Sequence, residues 1–210
     1  MESGKNKKLL LPSGGYPRLK SFRLARLIYD ITVHFAEMYV PADSRTRDQM
    51  VQAARSGVQN IAEGSVDAAT SAKLELNLYN VARASLEELR LDYQDYLRQH
   101  NAPVWSKDDP LYSEFVALRI SDKAGFKAFI RRAEYRKTAT DKRMKTEETE
   151  NWILHNTPYK SVLVANATLL LISAATYLLK RQIDSKAKAF LDDGGFSERM
   201  ARMRRKNLNG

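Results

Sequence analysis

The chain has 210 residues, of which 43% are hydrophobic, with no cysteine and a formal net charge of +10. That length and apolar share suffice for one domain with an elaboration, and the lack of cysteine excludes disulfides, thiolate catalysis and cysteine-held metal. Nine glycines and six prolines beside plentiful Leu, Ala, Lys, Arg and Glu favour helices, so the expected fold class is all-α and the expected compartment the cytoplasm.

Residues 1–16 read as a flexible N-terminus, whose three consecutive leucines are too few for an export signal. Leu24, Ile28, Ile31, Phe35 and Met38 recur at three- and four-residue intervals, predicting a first helix from about Pro17 to Val40, ended by Pro41. Asp43 or Ser44 is placed to cap a second helix with a slim stripe of Met50, Ala54, Gly57 and Ile61, and Gly64 is expected to supply its left-handed stop. A third helix from Ser71 to Gln99 carries Leu74, Leu78, Val81, Leu89 and Tyr93, widened by Ala82, Ser85 and Leu86.

The pattern breaks at Pro103, and residues 101–157 read as a helical insertion. Asp109 and Pro110 form a cap-and-first-turn pair for a short helix. Next comes a basic amphipathic helix, with Phe126, Phe129, Ile130 and Ala133 on one face and Lys123, Lys127 and Arg131 in a row on another. The polar stretch 138–151 reads as an exposed connection. Thr157 and Pro158 open the last long helix, residues 158–195, closed by Gly194 and Gly195. Its segment Val162–Leu179 is uncharged, yet Asn166, Thr168, Ser173 and Thr176 interrupt it, so it reads as a bundle centre rather than a membrane span. Residues 196–210 form a basic arm that Ser197 can cap.

Charge is segregated: residues 1–26 carry a net +6, 122–146 a net +6 and 196–210 a net +4, leaving −6 on the remainder. Such basic segments on an acidic body suit either a solubilising surface with basic tails or a polyanionic partner, because each Lys or Arg that neutralises a phosphate releases a condensed counterion. Enzymatic signatures are missing. The sequence has no Glu-x-x-His pair for a di-iron bundle, no phosphate loop, no nucleophile elbow and no dinucleotide fingerprint. His34 and Glu37, one turn apart, read as a structural pair, and Glu87, Glu88, Asp92 and Asp95 as solvated positions that offer partners to arginines.

The segments QMVQAARSGVQNIAEG (49–64) and LYNVARASLEELRLDYQ (78–94) together resemble the family of bacterial four-helix-bundle proteins encoded within 23S rRNA intervening sequences. Gln49, Ala53, Ala54, Ser56, Asn60, Ile61, Ala62, Glu63 and Gly64 carry the first half of the likeness, and Leu78, Ala82, Arg83, Ser85, Leu86, Glu88 and Leu89 the second. Gln52, Asn77 and Ala84 depart from the family's usual Arg, Phe and Gly. The likeness covers about residues 19–100. It implies an antiparallel up-down four-helix bundle, with the inserted helical region between helices 3 and 4 and the basic C-terminal tail as additions. It also implies assembly as a ring-shaped homopentamer and, from the branch that serves diversity-generating retroelements, binding to a reverse transcriptase and RNA through a basic surface. Ser56, Asn60, Glu63, Gly64, Arg83, Ser85 and Glu88 are expected to serve fold or assembly first, with Arg83 tied to Glu63 or Glu87.

The expected function is a non-enzymatic, oligomeric adaptor without cofactor or metal. It presents Arg18, Lys20, Arg23 and Arg26, then Lys127, Arg131, Arg132 and Arg136, then Arg202, Arg204 and Arg205 to the phosphates of RNA or DNA. Tyr135, beside those charges, is expected to pack into the bundle, with stacking on exposed bases as its alternative use. The alternative is a protein-interaction module with no nucleic-acid role.

Overall fold

A computed structural model describes residues 14–143 and 159–193, together with 200, 201 and 203–205. Every regular element among these is helical, as composition required: α1 Lys20–Tyr39, α2 Arg45–Asp67, α3 Ala72–Gln99, α4 Pro110–Leu118, α5 Lys123–Arg143 and α6 Tyr159–Asp193, with a 3-10 turn at Tyr16–Arg18. Residues 138–143 of the expected exposed connection belong to α5, while the remainder of that connection, the pair Thr157 and Pro158, residues 1–13, Gly194, Gly195, Ser197 and Arg202 lie outside the described residues.

Helix α1 packs against α2 and α6, and α3 packs against the same two, so the four long helices enclose one core. Pair contacts set their directions. Ser56 meets Ser85 at 3.0 Å and Gly64 faces Tyr79, so α2 and α3 run oppositely. Ser21 Oγ donates to Gln182 Oε1 at 2.9 Å near the start of α1, whereas Phe35 and Tyr39, late in α1, share a groove with Lys160 and Val164, so α6 descends against α1. Lys186 pairs with Glu75 at 2.8 Å, which places the end of α6 beside the start of α3.

The stripe expected for α1 is buried at Leu24, Ile28, Ile31 and Phe35, but Met38 is 60% exposed. On α3 the expected Ala82, Ser85, Leu86, Leu89 and Tyr93 are buried, but Leu74 and Val81 are exposed, and Glu75 and Tyr79 point inward in their stead. The large aromatic rings decide this, because they fill the core and their hydroxyls find partners there: Tyr93 Oη lies 3.0 Å from Thr32 Oγ1. Burial pushes the Tyr93 phenol well above its ordinary range.

Gly64 corrects another expectation. It sits inside α2 without a positive φ, and the helix continues to Asp67. A Cβ there would lie 2.9 Å from Tyr79 Cε1 and 3.2 Å from the Glu75 carbonyl oxygen, so glycine serves close helix approach rather than termination. Ser44 occupies the N-cap of α2 without a side-chain hydrogen bond, whereas Ser71 Oγ accepts from Leu74 N–H and Asp109 Oδ1 accepts from Leu111 N–H, capping α3 and α4.

Helices α4 and α5 lie against α6. Phe115 of α4 meets Phe129 edge-on, with ring centroids 5.0 Å apart. Among the described residues α6 is long and apolar enough to cross a membrane by length and composition, yet 67% of its most apolar window is buried inside the protein.

Candidate nucleic-acid interface

Each predicted cation among the described residues lies on a helical element. Arg18 ends the 3-10 turn, and Lys20, Arg23 and Arg26 follow on the outer side of α1; all four are exposed. On α5, burial of Phe126, Phe129, Ile130 and Ala133 turns Lys123, Lys127 and Arg131 to solvent as one row at four-residue spacing. Arg204 and Arg205 are helical and exposed.

Arg132 and Arg136 differ from the rest. Both reach Glu114 of α4, at 2.8 and 2.5 Å, and the shared carboxylate ties α5 to α4. A carboxylate holding two guanidiniums neutralises charge that a phosphate would otherwise meet.

The structure sets the predicted cations at the start of α1 apart from those of α5, at opposite ends of the bundle. Arg18, Lys20 and Arg23 flank Ser21, the residue bonded to Gln182 near the lower end of α6. Lys127 and Arg131 sit at the upper end instead, in a groove of about 280 Å³ between α1, α5 and α6. Its apolar lining comes from Ile31, Phe35, Phe126, Ile130 and Val164, and its cationic lining from Lys123, Lys127, Arg131 and Lys160. Tyr39 and the exposed Asp30 and His34 complete the α1 side. Lys160 is also 3.6 Å from Glu134. Lys123, Lys160, Asp30 and His34 were not expected to form one site. The row on α5 was legible, but the approach of α1 and α6 to that row depends on tertiary packing.

The motif residues form a different arrangement. Asn60 Nδ2 donates to the Ser56 carbonyl at 2.9 Å and to Ser56 Oγ at 3.1 Å, Ser56 Oγ meets Ser85 Oγ, and Ser85 Oγ donates to the Val81 carbonyl at 3.0 Å. This is a polar tie between α2 and α3, not a cap on the end of α2. Glu63, Arg83 and Glu88 are exposed. The expected tie of Arg83 to Glu63 or Glu87 is not formed among the described residues, and Glu87 pairs with Arg90 at 2.6 Å instead.

Beside this tie an acidic groove of about 750 Å³ runs between α2 and α3, lined by Asp48, Gln49, Gln52, Ser56, Glu88 and Asp92 among others. Asp92 is half-buried there rather than solvated, and burial, reinforced by Asp95 and Glu88, pushes its carboxyl up to about 6. Among the described residues no group of three His, Asp or Glu side chains is arranged to hold a metal ion. Comparison with protein-family models, curated proteins and solved structures gives no match for this chain, so its likeness to a family rests on the two motifs of α2 and α3.

Proposed function

We propose that this chain is a non-enzymatic, homo-oligomeric adaptor of the cytoplasm that binds RNA or DNA through phosphate contacts and assists a nucleic-acid-processing enzyme such as a reverse transcriptase. In this reading α1, α2, α3 and α6 constitute an antiparallel up-down four-helix bundle, 101–157 is its insertion and 196–210 its basic arm. Family likeness suggests five copies in a ring. The observation that carries the reading is that Arg18, Lys20, Arg23, Arg26, Lys127 and Arg131 are exposed and form no ion pair among the described residues. Idle surface cations at this density favour a polyanion over a neutral partner.

The test is salt dependence. With roughly six phosphates neutralised, affinity for duplex nucleic acid falls on the order of a thousandfold between 50 and 200 mM salt. Binding that ignores salt, or no binding at the lower concentration, overturns the reading.

A protein-interaction module remains the second reading, favoured by the acidic groove between α2 and α3, whose Asp48, Glu88 and Asp92 suit a basic protein segment. Complexes purified from cells and treated with nuclease separate the two. A partner lost with the nucleic acid supports the first, and a partner retained supports the second.

A further inference from the structure

Two features of the upper end do not follow from a need for phosphate contacts alone. The first is that the cationic groove has an apolar wall. Phosphates need only the row of Lys123, Lys127 and Arg131, yet the space beside that row is bounded by Ile31, Phe126, Ile130 and Val164. Its volume of about 280 Å³ falls just under the roughly 300–1,000 Å³ of clefts for drug-sized ligands and suits one planar ring. The second is Tyr135, which extends the α5 row by one turn beyond Arg131 and is 75% exposed. A phenol ring left in water at the end of a line of cations gains nothing from the core, but it offers a flat face to a base.

Duplex nucleic acid hides its base faces in the stack, so it uses the cations and leaves both the apolar wall and the ring unused. A single strand presents phosphates and base faces together. Among the described residues the groove lining holds one carboxylate, Asp30, against Lys123, Lys127, Arg131 and the Glu134-paired Lys160, so the local balance favours an anionic strand.

We infer that the groove between α1, α5 and α6, with Tyr135 at its margin, selects single-stranded over double-stranded nucleic acid. This inference rests on the electrostatic binding reading and narrows its ligand to an unpaired strand. In the mechanism, Lys123, Lys127 and Arg131 hold successive phosphates, one base enters the groove and a neighbouring base stacks on Tyr135.

The experiment uses the full chain and two labelled probes at about 0.1 M salt, an oligouridylate of about 12 nucleotides, within the usual site sizes of single-strand binders, and a blunt RNA duplex of equal length. The single strand is expected to bind about tenfold tighter. Tyr135→Ala removes most of that preference and leaves duplex affinity unchanged, Tyr135→Phe retains it, and Asp30→Asn tightens single-strand binding. Both positions are exposed, so these variants leave the core intact, and unchanged thermal melting checks this. Equal, salt-sensitive affinity for both probes overturns the inference and leaves the electrostatic reading standing. No salt-sensitive binding to either probe removes both. Displacement of the strand by polyglutamate as readily as by unlabelled oligouridylate also overturns it, because recognition is then of charge without bases.

Discussion

Asn166 Oδ1 accepts a 2.7 Å hydrogen bond from the backbone N–H of Trp105, 61 positions earlier in the chain. The same amide donates from Nδ2 to the Pro103 carbonyl and to the Val162 carbonyl, each at 3.1 Å. One buried side chain on α6 thus satisfies the loop that leads from α3 into α4, and every polar atom it removes from water is paired. The polar residue that interrupts an apolar stretch is therefore a fastening for the insertion. Asn166→Ala leaves the Trp105 donor and the Pro103 acceptor without their partner, at about 1–3 kcal/mol. Urea denaturation is expected to show that loss, with Tm lowered by about 3–10 °C for a chain of this size.

Helix propensity and packing make opposite forecasts at Gly64. Ala in place of Gly favours a helix interior by about 1 kcal/mol, but the added methyl meets the Tyr79 ring and the Glu75 backbone oxygen. Fully buried Tyr79 has no room to withdraw. Overpacking of this kind costs roughly 1–3 kcal/mol, so Gly64→Ala is expected to destabilise. At Gly57 the nearest atoms are Cδ2 and Cγ of Leu86, at 3.0 and 3.1 Å, with backbone no nearer than 3.7 Å. Gly57→Ala is therefore the milder of the two. Parallel denaturation curves check the order.

Asp92 gives stability a pH dependence of definite sign. Its carboxyl is raised from an ordinary 3.8 to about 6 in the folded chain, so the folded state holds the proton more tightly than the unfolded one. This group then imposes no penalty below about pH 4, costs increasingly as pH rises from about 4 to 6, and costs its full amount above that window. With solvent screening of a half-buried carboxylate the amount is on the order of 1 kcal/mol. Asp92→Asn is expected to be more stable than the parent at pH 7 and equal to it near pH 4. Melting temperatures across that range read the difference.

Glu114 is a brake on the basic surface. It engages Arg132 and Arg136 together, so Glu114→Gln removes a half-buried negative charge that both guanidiniums face. If the chain binds duplex nucleic acid electrostatically, the variant is expected to bind more tightly at low salt. Its slope of log affinity against log salt steepens by about 0.9 for each additional phosphate contacted. An unchanged slope would show that neither arginine reaches the ligand.

Local chemistry explains which elements were legible in advance. Asp109 followed by Pro110 announces the start of α4 by itself, since the cap and the fixed φ act within one turn. The two faces of α5 are equally visible, because four-residue spacing of Lys123, Lys127 and Arg131 is independent of what the helix packs on. Long-range relationships decided what was missed. On α3 the stripe held at Leu89 and Tyr93 but failed at Leu74 and Val81, because the larger Tyr79 fills the core once α2 and α6 close over α3. Gly64 has the same residue type whether it ends a helix or admits a neighbouring ring, and no pattern within α2 distinguishes the two uses. The groove was invisible for the same reason, as its lining joins side chains from Asp30 to Val164.

Separation along α6 has a further consequence for any long ligand. At about 1.5 Å of rise per residue, Lys160 beside the groove and Gln182 beside the start of α1 are about 33 Å apart, several times the screening distance of roughly 8–10 Å at physiological salt. If the chain binds a nucleic-acid strand, the two ends therefore act as separate modules joined by a stiff rod. An oligomer too short to span the rod engages one end and pays the full entropic cost of each encounter. A longer strand held at one end meets the other at high effective concentration, so apparent affinity rises steeply once its contour length exceeds the rod.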